Sequence, residues 1–223
     1  DVGKTLERRI IPAKEARTEI RVANSRFIAS AGPVFSVEEA KAFVDRVKSE
    51  FADASHNVPA FIVGHGASVT AHCTDDGEPS GTAGRPALAV LQGSGLGDAA
   101  VVVTRYFGGT KLGTGGLVRA YGDAVRAVLA KLPRAEKVAT HAALLVTPYH
   151  LFEQVQLLVE EYGGLTLDKT FAADVTLTVQ FRVDDMEPFN SALQELSHGV
   201  LQAEVVESSD NTIMPTDASE SED

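Results

Sequence analysis

The chain has 223 residues, 44% hydrophobic and 23% charged, which is the composition of an ordinary globular protein of one or two domains. Cys73 is the only cysteine, so no internal disulfide is possible. No run approaches the roughly 18 apolar residues of a membrane span, and no cationic segment leads into an apolar run, so no signal peptide is expected and the cytoplasm is. The net charge is −11, and five of the acids fall among residues 208–223, which hold no base. Such a balance argues against tight non-specific DNA binding, which depends on Lys and Arg neutralising phosphates, but it leaves room for a local basic groove.

In chain order, residues 18–23 alternate as a strand, Asn24-Ser25 reads as a turn, and residues 26–31 as the returning strand. Ser36 with Glu39 three residues on is a capping-box signature. The helix it opens runs to about Ala52, with Ala40, Phe43, Val44, Val47 and Phe51 at helical spacing. Residues 58–63 and 69–74 read as strands about the Gly64-His65-Gly66 turn. A loop, Asp75 to Gly84 (DDGEPSGTAG), leads to a short helix over Arg85–Leu91, with Pro86 suited to its first turn. Residues 100–107 are β-branched and read as a buried strand. A second loop, Gly108 to Gly116 (GGTKLGTGG), opens a helix from about Leu117 to Lys131.

Residues 133–137 read as a linker, and the pattern then changes to strand 140–147, helix 150–161, strands 165–171 and 174–183, helix 186–196 and strand 200–206. That order, β-α-β-β-α-β, is the ferredoxin-like arrangement. The expected division is a first domain over 1–132, a second over 138–207, and an acidic, Ser-rich tail over 208–223 that cannot bury enough apolar surface to order itself.

Chemistry concentrates in the two loops. Both are rich in Gly, Ser or Thr and both enter helices, where free peptide N–H groups form anion sites. Ser80, Thr82 and Arg85 belong to the first. Gly108, Gly109, Gly113, Gly115 and Gly116, with Arg105, Lys111 and Arg119, belong to the second. The spacing fits neither a Walker loop nor a dinucleotide fingerprint, and the glycines have an alternative reading as turn and packing residues. Asp75, Asp76 and Glu78 form an acidic loop suited to magnesium or to a general base, or else to capping backbone N–H groups; capping is the preferred reading, and no metal or cofactor is called for. His56, His65 and His72 match no zinc motif, and of these His56, directly ahead of a strand, is the candidate for function. Tyr106, Phe107 and Tyr121 flank the basic loop, where aromatic rings can stack on bases or pack the strand against its helix.

These residues carry a resemblance. Asp75 to Pro86 (DDGEPSGTAGRP) and Val102 to Tyr121 (VVTRYFGGTKLGTGGLVRAY) resemble the two hallmarks of the IMPACT/YigZ family. Ser25-Arg26-Phe27 resembles the segment that begins its first domain, which brings Arg26 among the candidate site residues, and His56 stands where the family often has histidine. The resemblance is strong over residues 15–130. It implies an α+β fold of two domains: a left-handed βαβ domain like elongation factor G domain IV, then a ferredoxin-like domain like elongation factor G domain V. It also implies a translation-associated binding or regulatory role, with RNA, the ribosome or a translation-associated protein as partner. A nucleotide-binding or phosphorylated-ligand enzyme and a protein-interaction regulator that touches no nucleic acid stand as alternatives.

Overall fold

The computed structural model describes residues 8–66 and 68–216. The chain is an α+β protein of two compact units, one comprising residues through Glu136 together with Pro215 onward, the other Lys137–Met214.

In the first unit the order is β1 (Arg9–Pro12), β2 (Ala16–Val22), β3 (Ser25–Pro33), α1 (Val37–Glu50), β4 (His56–Val63), β5 (Thr70–Cys73), α2 (Gly84–Gly93), β6 (Ala99–Tyr106) and α3 (Gly113–Lys131). The sheet runs β2-β3-β6-β4-β5 with neighbouring strands antiparallel throughout. Because β3 and β4 both lie antiparallel to β6, they are parallel to each other, and α1 joins them as a βαβ crossover. The β2–β3 turn sits at Ala23-Asn24, one residue before its expected place. Both residues have positive φ, 44° and 67°, as a two-residue turn compatible with strand twist requires.

β6 decides the layering. Its side chains alternate at period 2, and both faces are covered, which is why it reads as a continuous apolar run. Ala100 and Val102 meet Phe43, Val44 and Val47 of α1. Val101 and Val103 meet the opposite layer, where Leu91 of α2 and Leu117, Tyr121, Val125 and Val128 of α3 close over Phe27 and Val58. Helix α1 is capped as its sequence predicts: Ser36 Oγ accepts from the Glu39 N–H at 3.1 Å. The Glu39 carboxylate reaches back to the N–H of Phe35 rather than of Ser36.

β7 (Arg134–Thr147) leads into the second unit, followed by α4 (Tyr149–Glu161), β8 (Leu165–Phe171), β9 (Val175–Arg182), α5 (Val183–Leu196) and β10 (Glu204–Pro215). The strand order β10-β7-β9-β8 and the β-α-β-β-α-β sequence of elements are ferredoxin-like. The core is a closed apolar cluster in which Phe181 stacks on Phe189 at 4.4 Å between centroids, with Leu145, Val155, Val159, Leu177 and Leu193 around it.

Two expectations change. Residues 134–137, expected as a linker, are the opening of β7, anchored where the Ala13 N–H donates to the Pro133 carbonyl at 2.7 Å. The tail expected from residue 208 is instead strand as far as Pro215; β10 pairs with β7, and His141 Nδ1 meets Ser208 Oγ at 2.7 Å. An edge strand is held by its backbone ladder and needs little apolar burial, so composition alone did not reveal it. Residues 217–223 of that tail lie outside the described residues.

Candidate functional site

The two glycine-rich helix starts are both present in the first unit, and they differ. At α2 the loop folds back on itself. Asp75 Oδ1 accepts from the N–H groups of Gly84 at 2.9 Å and Ala83 at 3.2 Å, and Oδ2 from Gly81 at 2.8 Å. Burial works against the charge of Asp75, but the N–H groups of Gly81, Gly84 and Ala83, helped by Arg85, outweigh it and hold the carboxyl below its ordinary range. The helix start therefore already holds an anion, which is the capping reading of the acidic loop. Gly84 is required here because a Cβ would meet the backbone of Thr74.

The rest of the acidic loop is also engaged. Asp76, at φ 46°, binds Lys48 Nζ at 2.6 Å and accepts from the Asn57 N–H at 2.7 Å. Asn57 Oδ1 in turn accepts from Thr104 at 2.7 Å. His56 Nδ1 lies 2.8 Å from the Asp76 carbonyl, and its Nε2 is 3.7 Å from Glu78. Glu78 is buried, with Oε1 2.6 Å from Arg105 and 2.8 Å from the Tyr121 hydroxyl. Burial first, and then the bond to Glu78, push the Tyr121 phenol far above its ordinary value, so it stays a donor. Glu78 thus ties the first loop to β6 and to α3.

That arrangement removes Arg105 from the expected groove. Arg105 shares the face of β6 with Val101 and Val103, is 5% exposed, and packs between Phe27 and Phe107, each 5.6 Å from its guanidinium carbon. Its Nε is buried without a hydrogen-bond partner. Tyr106, on the other face, donates to Asp53 at 2.7 Å and lies under Arg26, which is itself paired with Glu19. Thr82 is buried with its hydroxyl on the Pro79 carbonyl, whereas Ser80 and Arg85 are exposed. Lys48 and Asn57 were not singled out from the sequence, because only folding brings them to Asp76.

The start of α3 is open. The helix begins at Gly113, four residues before its expected start, so Gly113, Gly115 and Gly116 are helical rather than loop. No side chain caps it and no acid lies in its first turn. A Cβ at Gly109, Gly113 or Gly115 would meet nothing, while Lys111, Thr114 and Arg119 are exposed. Gly108 differs, because a Cβ there would run into the backbone of Asn24; its N–H donates to Ser25 Oγ at 3.2 Å. Of the expected site residues, Lys111, Arg119, Gly109, Gly113 and Gly115 thus surround one accessible helix start with unspent N–H groups. Arg105, Tyr106, Thr82, Asp75, Asp76 and Glu78 form the frame behind it.

Comparison with known proteins agrees with the two-unit division of elements. Residues 23–129 match the Impact N-terminal domain, and residues 145–200 match a domain of unknown function (DUF1949). The chain is 37% identical over 203 residues to the IMPACT family member YigZ of Escherichia coli (strain K12), covering 91% of this chain and all of that protein. It is 38% identical over 199 residues to an IMPACT family member of Haemophilus influenzae, covering 89% of this chain and 97% of that one. A crystal structure of a hypothetical protein superposes with a TM-score of 0.57 at 36% identity, covering 91% of this chain and 98% of the other. With its two hallmark loops, both domain matches and a relative 37% identical over 91% of its length, the chain belongs to the IMPACT family.

Proposed function

We propose that this chain is a translation-associated binding protein whose first unit contacts the phosphates of RNA, free or within the ribosome, at the start of α3. The observation that carries this reading is the uncapped α3 N-terminus, where exposed Lys111 and Arg119 stand beside glycines with open space above them. Peptide N–H groups and the helix dipole both favour an anion at such a place, and glycine lets a ligand approach the backbone closely. Family membership supports the translation setting. A phosphorylated small molecule would use the same N–H groups, but the metal that reading recruits through Asp75, Asp76 and Glu78 finds those carboxylates bonded to Gly84, Asn57, Lys48, Arg105 and Tyr121.

The test is binding of labelled single-stranded RNA, and of ribosomal subunits, over a range of salt. Lys111→Ala with Arg119→Ala should weaken binding and reduce the slope of log affinity against log salt by about one for each phosphate no longer neutralised. Binding that is unchanged at every salt concentration would remove the α3 start from the interface.

A further inference from the structure

The two units differ in charge. Residues 1–136 with 215–223 hold nineteen acids and seventeen Lys and Arg, a net −2, whereas Lys137–Met214 holds twelve acids and three bases, a net −9. A surface with that balance repels a polyanion, so the second unit offers nucleic acid no electrostatic attraction.

The second unit nevertheless displays apolar side chains that its own core does not use. Tyr149 is 53% and Phe171 58% exposed, and neither belongs to the buried cluster nor to the residues packed against it. Their rings are stacked, 6.5 Å apart at 27°. Phe171 stands edge-on to Phe152 at 5.6 Å, and Phe152 does pack on the core, so the pair rests on a fixed base. The Tyr149 hydroxyl donates to the Ala172 carbonyl at 2.8 Å, which fixes its ring as well. Lys169 Nζ lies 5.7 Å from the Phe152 centroid, so these rings already hold one cation. Along α4, Tyr149, Glu153, Leu157 and Glu161 recur every four residues on one exposed stripe, Leu157 being 66% exposed. Apolar and acidic side chains thus alternate down a single unpartnered helix face.

We propose that this α4 stripe, with Phe171 at its head, is a docking surface for an Arg- and Lys-rich protein segment that also carries apolar residues. Guanidinium groups would stack on Tyr149 and Phe171, Glu153 and Glu161 would pair with flanking bases, and Leu157 would take an aliphatic side chain. Charge complementarity selects this partner over RNA, whose bases would suit the rings but whose phosphates would face the acids. The surface shares no residue with the α3 start.

The experiment is fluorescence anisotropy on the full chain with a labelled peptide of repeating Arg-Leu-Gly. Binding is expected and should weaken with salt. Tyr149→Leu with Phe171→Leu, which keeps apolar area and removes the π faces, should lower affinity about tenfold with an unchanged melting temperature. Glu153→Lys with Glu161→Lys should lower it at least as much without touching the rings, and Lys111→Ala with Arg119→Ala should leave it unchanged. No binding, or binding indifferent to both α4 double variants, overturns the proposal. Equal binding of a Ser-Leu-Gly peptide would make the surface a plain apolar one, and oligo(U) binding that depends on Tyr149 and Phe171 would assign it to RNA; either result also overturns it.

Discussion

Helices α2 and α3 both begin in glycine-rich loops beside arginine, yet their N-termini end in opposite states. At α2 the carboxylate of Asp75 takes three N–H groups, and the arginine that its loop reaches, Arg105, is buried on Glu78. At α3 no side chain caps the helix and its neighbouring cations face solvent. Glycine content therefore marks where the backbone is accessible but not whether it is free; an internal anion eight or nine residues away in sequence decides that. The closed start is framework and the open one is available to a partner.

The most severe way to break this contrast is at the buried pair. Arg105→Ala leaves Glu78 charged and buried, and Glu78→Ala strands Arg105, whose Nε already lacks a partner. Either should cost about 3–5 kcal/mol in urea unfolding, while Glu78→Gln, which keeps an acceptor for Tyr121, should cost less. A loss below about 1 kcal/mol for both alanine variants would show that the loop is held by something other than this pair.

Opening the closed start comes next. Asp75→Ala orphans three N–H groups and should destabilise by about 1–3 kcal/mol. The pH dependence has a definite sign. The folded carboxyl titrates below its ordinary value, so its contribution is complete above the unfolded pKa of about 3.9 and is lost as pH falls through the lower folded value. The stability difference between wild type and Asp75→Asn should therefore shrink across that acid window. A difference that stays constant from neutral pH through the acid limb would mean that the charge of Asp75 contributes nothing.

The smallest effect sharpens the other side. Gly115→Ala adds a methyl group into open space inside α3, so it should be neutral or stabilising by up to about 1 kcal/mol, yet it should weaken RNA binding by crowding the N–H groups. Stability gained with binding intact would mean that the helix start is not approached closely.

Much of this was legible in the residues. The all-apolar run of β6, the capping box at Ser36 and Glu39, and the two hallmark loops located the elements and the chemistry to within a few positions. The misplacements have physical causes. α3 starts early because Gly113 turns the chain into it at φ 73°, which glycine adopts freely, and because helical φ and ψ cost Gly115 and Gly116 entropy but are not forbidden, so propensity put the start too late. β10 continues to Pro215 because an edge strand is secured by hydrogen bonds to its neighbour, which hydropathy does not register.

Sequence by itself determined the two-unit organisation, the ferredoxin-like order and the pair of loops that matter, since periodicity and turn chemistry are local properties, while the βαβ domain followed from the family resemblance of those loops. Only tertiary structure decided which charges are spent. Arg105 and Lys111 are six residues apart and equally cationic on paper. One falls on the inward parity of β6, where it must find Glu78, and the other falls on an exposed loop, where it stays free to meet an anion.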